Sequence, residues 1–355
     1  MIMSRRWTGL VLVVFLTVTV IYLSGGLSAA DFDPYNVGWD GTSTIHSSVE
    51  GGETGSYVSL TTARYERVPS AGTVAVVLSP ERRYTEGEVR RIRSFLAGGG
   101  TLIVAADFEL RANQLLDRLG VRSRFDGRLL RDEQNNHRSS GLPIVRNVSD
   151  PRYVAVGQIT FNHGTAIDPN GAEVLATASG LSYLDTNRNG TLDRTEPLRA
   201  HPVITRESVD GGEVILIGDP SVFLNGMLER SGNRVFASGF LTRYDRVLFD
   251  YSHARNLPLQ TRALILLRSS PAAQATTAVV SLLLILLAPL LYGRGSGRTG
   301  LSVWSRDGRG GSLRPLTEEE MVESLMESGF TVDEKQARRI VATIPSRVPV
   351  WSDDD

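Results

Sequence analysis

Residues Thr73–Ala106 read TVAVVLSPERRYTEGEVRRIRSFLAGGGTLIVAA, and this stretch decides the fold class. Its first part, Thr73–Ser79, is a continuous apolar run, the pattern of a strand covered on both faces. From Thr85 the period changes. Val89, Ile92, Phe95 and Leu96 recur at helical spacing, while Arg90, Arg91 and Arg93 fall on the wet side. Thr85 and Glu88 have the spacing of a capping box, so the helix is expected to start there. Gly98, Gly99 and Gly100 end it, and Thr101–Ala106 is a second buried strand. Strand, helix, glycines and strand make a βαβ unit, which puts both strands parallel in one sheet.

Outward from this unit, Tyr57–Arg64 reads as a short strand and Leu110–Leu119 as a helix with Leu115, Leu116 and Leu119 inward. Residues 122–146 are polar and carry no clear period. Strands are expected at Arg152–Thr160, Ala172–Ala178, Val203–Glu207 and Glu213–Gly218. Asp219 and Pro220 open a helix as N-cap and first helical residue. A further helix, Arg234–Tyr244, and a short strand, Val247–Tyr251, follow.

The stretch Asp185–Glu196 reads DTNRNGTLDRTE and fits a twelve-residue calcium loop. Asp185, Asn187, Asn189, Asp193 and Glu196 place side-chain oxygens at the ligating positions, and Thr191 offers its backbone carbonyl. Gly190 stands where the chain must turn sharply with a positive φ. The flanking segments read as strands, so no EF-hand helix pair is expected and the ion's role is structural. Three carboxylates and two amides suit Ca2+ at about 10⁻⁴ to 10⁻³ M, the range of weak extracellular modules. Asn189 also begins a glycosylation sequon, but a ligand is a poor acceptor; Asn147 is the better candidate.

Cysteine is absent, which excludes disulfides, zinc–thiolate sites and a cysteine nucleophile. A formal net charge of -1 argues against a nucleic-acid binder. Lys335 is the only lysine among 38 basic residues, a bias of the kind a GC-rich, halophilic archaeal genome produces. Two runs, residues 7–23 and 272–292, are apolar enough to cross a bilayer as helices of roughly 20 residues. Arg5 and Arg6, and Arg294, Arg298, Arg306 and Arg309, place both termini in the cytoplasm; Arg262 and Arg268 weaken that vote. Cleavage of a signal peptide after Ala30 is the alternative for the first run, whose length favours an anchor. The expected organisation is thus a cytoplasmic stub at 1–6, a span at 7–23 and an extracellular domain at 31–271. A second span at 272–292 and a cytoplasmic linker and helical hairpin at 293–355 follow. In that hairpin, helices are expected from Thr317 to Glu327 and over Asp333–Ala342, either as a docking element or as a solvated tail.

The run from Thr73 to Asp107 resembles a degenerate class I glutamine amidotransferase-like domain. The stretches at Gly212–Asn225, Asn162–Gly171 and Val247–Ala254 resemble an uncharacterised membrane-anchored family that carries it. The resemblance implies a flavodoxin-like α/β fold with a mostly parallel sheet, set between two transmembrane helices. It also implies company: a MoxR-type AAA ATPase, and von Willebrand A-like and transglutaminase-like membrane proteins. The active relatives need a cysteine at a strand-to-helix elbow, and this chain has none.

Asp107 and Asp219 each follow a buried strand, so both are expected at the carboxyl edge where α/β folds bind ligands. An N-cap role competes with ligand binding for Asp219. Asp250 and His253 could form an acid–base pair, against a purely structural hydrogen bond. Neither Ser79 nor Ser221 carries the glycine pattern of a nucleophile elbow. The leading expectation is a non-catalytic, membrane-anchored extracellular binding protein braced by calcium. The alternatives are a hydrolase using the sheet-edge carboxylates and an accessory subunit of an ABC-type transporter.

Overall fold

The computed structural model describes residues 30–108, 110–148, 157–230, 232–254, 257 and 259–269, then 272–276, 279–280, 283, 304–306, 313–315, 317–327 and 333–342. Two compact units divide the chain: Val14–Ser281, and Met1–Val13 with Leu282–Asp355.

In the first unit, α1 (Ser43–Glu50) and β1 (Gly55–Ser59) precede a 3-10 turn at Thr62–Glu66. The βαβ unit is β2 (Thr73–Leu78), α2 (Glu86–Ala97) and β3 (Thr101–Ala105). Next come α3 (Leu110–Leu119) and the long β4 (Arg124–Asp132). Six short strands follow: β5 (Ile144–Val145), β6 (Asn147–Val148), β7 (Ile159–Thr160), β8 (Thr165–Asp168), β9 (Glu173–Thr177) and β10 (Ser182–Asp185). The antiparallel pair β11 (Pro202–Val209) and β12 (Gly212–Ile217) leads to α4 (Asn225–Leu228) and α5 (Asn233–Leu241). Last come β13 (Arg246–Asp250) and α6 (Leu259–Ser269).

The main sheet has eight strands in the order β1-β13-β2-β3-β12-β11-β9-β6. The first five run parallel and the last three antiparallel. Alternation along the central strands feeds two cores. Val74, Val76, Ile103, Ala105, Ile215 and Ile217 face α1, α5 and α6. Ala75, Val77, Leu102, Val104, Val214 and Leu216 face α2 and α3. A separate three-stranded antiparallel sheet is ordered β10-β4-β8.

The capping box forms as the spacing predicts: Glu88 N–H donates to Thr85 Oγ1, and Thr85 N–H to Glu88 Oε2 at 2.6 Å. The glycine run after α2 has a specific physical cause. Gly99 takes φ +82°, and a β-carbon on Gly100 would stand 2.4 Å from the Phe95 ring.

Several expectations need correction. The two-span membrane architecture is not supported: among the described residues no helix is long and apolar enough to cross a membrane. Apolar composition makes a span only as one unbroken helix of about 20 residues. Residues 7–23 lie outside the described residues, and of 272–292 only 272–276, 279–280 and 283 are described. The main sheet is parallel-rich, and it is mixed because β12 returns antiparallel beside β11 instead of crossing over. The strand expected at Tyr57–Arg64 stops at Ser59, where the chain turns into the 3-10 segment. Asp219 caps and Pro220 opens a helical segment as expected, but the segment is a 3-10 turn, Pro220–Phe223. Residues 122–146 hold β4, whose exposed polar positions hid its period.

In the second unit, α7 (Glu318–Glu327) and α8 (Glu334–Val341) pack through Val322, Leu325, Ala337 and Val341. Thr317 and Glu320 exchange the expected capping bonds. Four buried apolar residues make a small core.

Gly100→Ala should destabilise the chain by about 1–3 kcal/mol, the usual cost of overpacking a full core. Urea denaturation checks this; an unchanged midpoint would mean that Phe95 can move aside freely.

Candidate functional site

β2 and β13 are parallel neighbours, and their carboxyl ends open a crevice. After β2 the chain passes to α2, whose Val89, Ile92 and Phe95 pack on one face of the sheet. After β13 it passes to α6, whose Ile265 packs on the other. Adjacent strands whose connections leave to opposite faces define a switch point, the usual ligand position in open α/β sheets. A cavity of about 420 Å³ lies there. Leu78 and Ser79 from β2 and its end, Asp250 and Tyr251 from β13 and its end, and His253 line it. The N-terminal segment closes one side through Asp31 and Phe32. That segment is tied down by Tyr251, whose hydroxyl donates to Phe32 O at 2.7 Å.

Ser79 holds φ +43°, a left-handed conformation seldom taken by a residue with a side chain. Its N–H donates to Ala105 O at 2.8 Å. No helix follows at once: Pro80 comes next and α2 starts at Glu86, so Ser79 is not on a nucleophile elbow.

Asp250 and His253 both line the crevice, each held by other partners. Asp250 accepts hydrogen bonds from the Tyr65 hydroxyl at 2.8 Å and the Ser252 N–H at 2.8 Å. Burial raises its carboxyl above the ordinary range, against these donors and His253. His253 stacks on Tyr84, and its Nδ1 lies 2.6 Å from Ser252 Oγ. Its Nε2 has no hydrogen-bond partner; Glu88 Oε2 is 3.5 Å away. Burial lowers His253 below the usual histidine range, while Asp250 and Glu88 pull it up.

Asp107 and Asp219 lie apart from this crevice's lining, beyond the ends of β3 and β12. Asp107 accepts from the Phe108 N–H at 2.6 Å. Asp219 is fully buried and accepts from Ser221 N–H at 2.8 Å and Asn162 N–H at 2.6 Å. Burial pushes its carboxyl up to about 7; the donors oppose this and Asp107 adds to it. Asp219 therefore acts as a cap and as a clasp between two loops.

The loop Asp185–Glu196 starts on the last residue of β10. Asp185 Oδ1 accepts from Asn189 N–H and Oδ2 from Gly190 N–H at 3.0 Å, with Gly190 at φ +80°. Arg131 Nε also donates to Asp185 Oδ2 at 2.7 Å. Burial opposes ionisation of Asp185, but Arg131 and Gly190 outweigh it and hold the carboxyl low. Glu196 accepts from Thr186 N–H at 2.7 Å and from Asp193 N–H at 3.1 Å. Asn187 and Asn189 turn their amide nitrogens to Asp193 Oδ2. Thr191 donates its N–H to Asn189 Oδ1 at 2.9 Å. Among the described residues no group of three or more His, Asp or Glu side chains is gathered to hold a metal ion. The fit to calcium is thus partial. The turn has the required form and the carboxylates keep unused lone pairs, but ligation requires both amides to present oxygen instead of nitrogen.

The sequence singled out none of Asp31, Glu81 and Tyr65, of which Asp31 and Glu81 also line the crevice, and it set Ser79 aside. Tyr65 lies 185 residues from Asp250, and no local pattern links them.

Residues 34–241 match the family described as a domain of unknown function (DUF4350). The chain belongs to that family. No curated protein matches the sequence. Among solved structures, the mmIFT52 N-terminal domain is similar at 13% identity and a TM-score of 0.38, over 52% of this chain and 79% of that one. A β-galactosidase from Bacillus circulans sp. alkalophilus is similar at 15% identity and a TM-score of 0.30, over 46% of this chain and 22% of the enzyme. The exo-β-1,4-mannosidase Op5Man5 from Opitutaceae bacterium strain TAV5 gives 16% identity and a TM-score of 0.25, over 42% and 21%. The chain spans about a fifth of either glycosidase. Likenesses at these scores carry no conclusion about activity.

Asp219 supplies a pH test. Its folded carboxyl sits near 7 against an ordinary value of 3.8, so the native state holds the proton more tightly. Stability is therefore highest at low pH within that window and falls as pH rises through it. Asp250, also raised, adds to the same slope. Asp219→Asn should flatten the slope and, by losing one acceptor, cost about 1–3 kcal/mol. Urea midpoints across the window measure both; an unaltered slope would remove Asp219 as its source.

Proposed function

We propose that this member of DUF4350 is a non-catalytic binding module: calcium braces the loop after β10, and the crevice between β2 and β13 receives the ligand. The observation that carries this reading is the cavity of about 420 Å³ at a switch point, lined without a cysteine or an elbow nucleophile. The carboxylates at the sheet edge are already committed as acceptors, which suits a fixed receptor wall better than proton transfer. Calcium would draw on Asp185, Asn187, Asn189, Asp193, Glu196 and the Thr191 carbonyl. Its service there is to hold the excursion of β4, β8 and β10 in one shape. A degenerate amidotransferase-like domain, the resemblance read from Thr73–Asp107, accords with a module that binds and does not turn over. MoxR-type ATPases and their von Willebrand A-like and transglutaminase-like companions are the partners to test by co-purification.

Calcium that binds only the folded state stabilises it by about 2.7 kcal/mol at roughly 100 times Kd. Millimolar calcium should accordingly raise the melting temperature of the full chain by several degrees. Glu196→Gln should abolish most of that rise, and magnesium should substitute poorly because it demands tighter octahedral geometry. Equal melting curves with and without calcium would sink the calcium brace. Glutamine incubated with the purified chain should release no ammonia; turnover lost in Asp250→Asn would overturn the non-catalytic reading.

A further inference from the structure

We propose that a second pocket, between the β2–α2 connection and α3, binds a phosphate group as its dianion. It shares no lining residue with the crevice between β2 and β13, so the site stands apart from the one proposed above and does not rest on it.

The pocket holds about 340 Å³, room for a small phosphorylated molecule. Three arginines stand on its wall: Arg83 from the connection, and Arg111 and Arg118 from α3. Arg111 and Arg118 are seven residues apart, about two helical turns, which puts them on one face of α3. One carboxylate lines the pocket with them, that of Asp117, and Arg124 already engages it at 3.3 Å. Among the described residues, none of the three lining arginines makes an ion pair.

Their remaining bonds leave most of their donors unused. Arg83 is exposed, and among the described residues it donates no hydrogen bond. Arg111 is half-buried and reaches Gln114 Oε1 at 3.4 Å, the long end for such a bond. Arg118, also half-buried, donates one N–H to Tyr84 O, while its own carbonyl accepts from Arg93 Nη2 at 2.8 Å. These two bonds hold Arg118 against the wall, and a guanidinium has five N–H donors to give. A half-buried cation has lost part of its hydration, and that loss is offset when an opposite charge is supplied. Here the chain places the cavity beside the cations and leaves the opposite charge out.

The planar guanidinium fork fits carboxylate and phosphate oxygens alike. Charge separates the two. With three cations facing the pocket and its single carboxylate bound to Arg124, a dianion gains more than a monoanion. A phosphomonoester or free phosphate therefore fits better than a carboxylate or a phosphodiester.

Calorimetric titration of the full chain in calcium-free buffer at about pH 8, where a phosphomonoester is a dianion, tests this. The probes are inorganic phosphate, glycerol 1-phosphate and dimethyl phosphate. Each of the first two should bind at least about tenfold more tightly than the third. Tighter glycerol 1-phosphate would support the site as one for a phosphorylated molecule, and tighter inorganic phosphate as one for the free ion. Neither Arg83 nor Arg111 holds another element in place, so Arg83→Gln with Arg111→Gln should fold and should weaken both dianions by about tenfold or more. Asp117→Asn should tighten them severalfold, a gain that a loosened structure would not give. Unchanged affinity in the double arginine variant, or weaker binding in Asp117→Asn, would overturn the proposal. So would dimethyl phosphate binding as tightly as the dianions, or no binding of either dianion to a chain that melts cooperatively.

Discussion

The central strands β2, β3 and β12 have no solvent face: alternate side chains enter two separate apolar cores, and both must be covered at once. Val74 and Val76 require α1, α5 and α6, whereas Ala75 and Val77 require α2 and α3. Burial of this kind contributes about 25 cal/mol per Å² of apolar surface and is the main favourable term available to the domain. It dictates that connections alternate between faces. Where two neighbouring strands send their chains to opposite faces, neither connection covers the strand ends, and a crevice is left. The crevice between β2 and β13 is therefore a by-product of covering the sheet.

Carboxylates placed at such an edge serve two ends. Asp219 uses both oxygens to hold Ser221 and Asn162, and its burial raises the carboxyl to about 7. Asp250 likewise accepts from Tyr65 and Ser252, yet it also lines the crevice. The difference is position: Asp219 is sealed beneath a 3-10 turn, while the chain after Asp250 runs along the cavity. One residue type at equivalent strand ends thus becomes a clasp in one place and part of a receptor wall in another.

The excursion between β3 and β12 follows a different rule. Its sheet, β10-β4-β8, is antiparallel, and its loop at Asp185 is closed by Arg131 and by the loop's own N–H groups. An arginine already occupies one side of Asp185, so a bound cation would have to share that carboxylate with it. This pairing between strands was invisible in the motif, which reads only one segment.

Local chemistry made much of the fold legible. The switch from a continuous apolar run to helical spacing and back located β2, α2 and β3, and Thr85 with Glu88 located the start of α2. Leu110–Leu119 was read to its end residues, because its leucines repeat on one face. Such elements depend on contacts within a few residues, and the sequence by itself determined them. It also determined the absence of a cysteine nucleophile and the turn at Gly190. Tertiary structure alone decided the rest. That β13 inserts between β1 and β2 and that Tyr65 reaches Asp250 are long-range pairings with no local signature. The grouping of Asp31, Glu81 and Asp250 around one cavity is of the same kind, since their separation along the chain says nothing of the strand order that brings them together. Apolar length in residues 272–292 suggested a span, but a span needs one continuous helix, which composition does not specify.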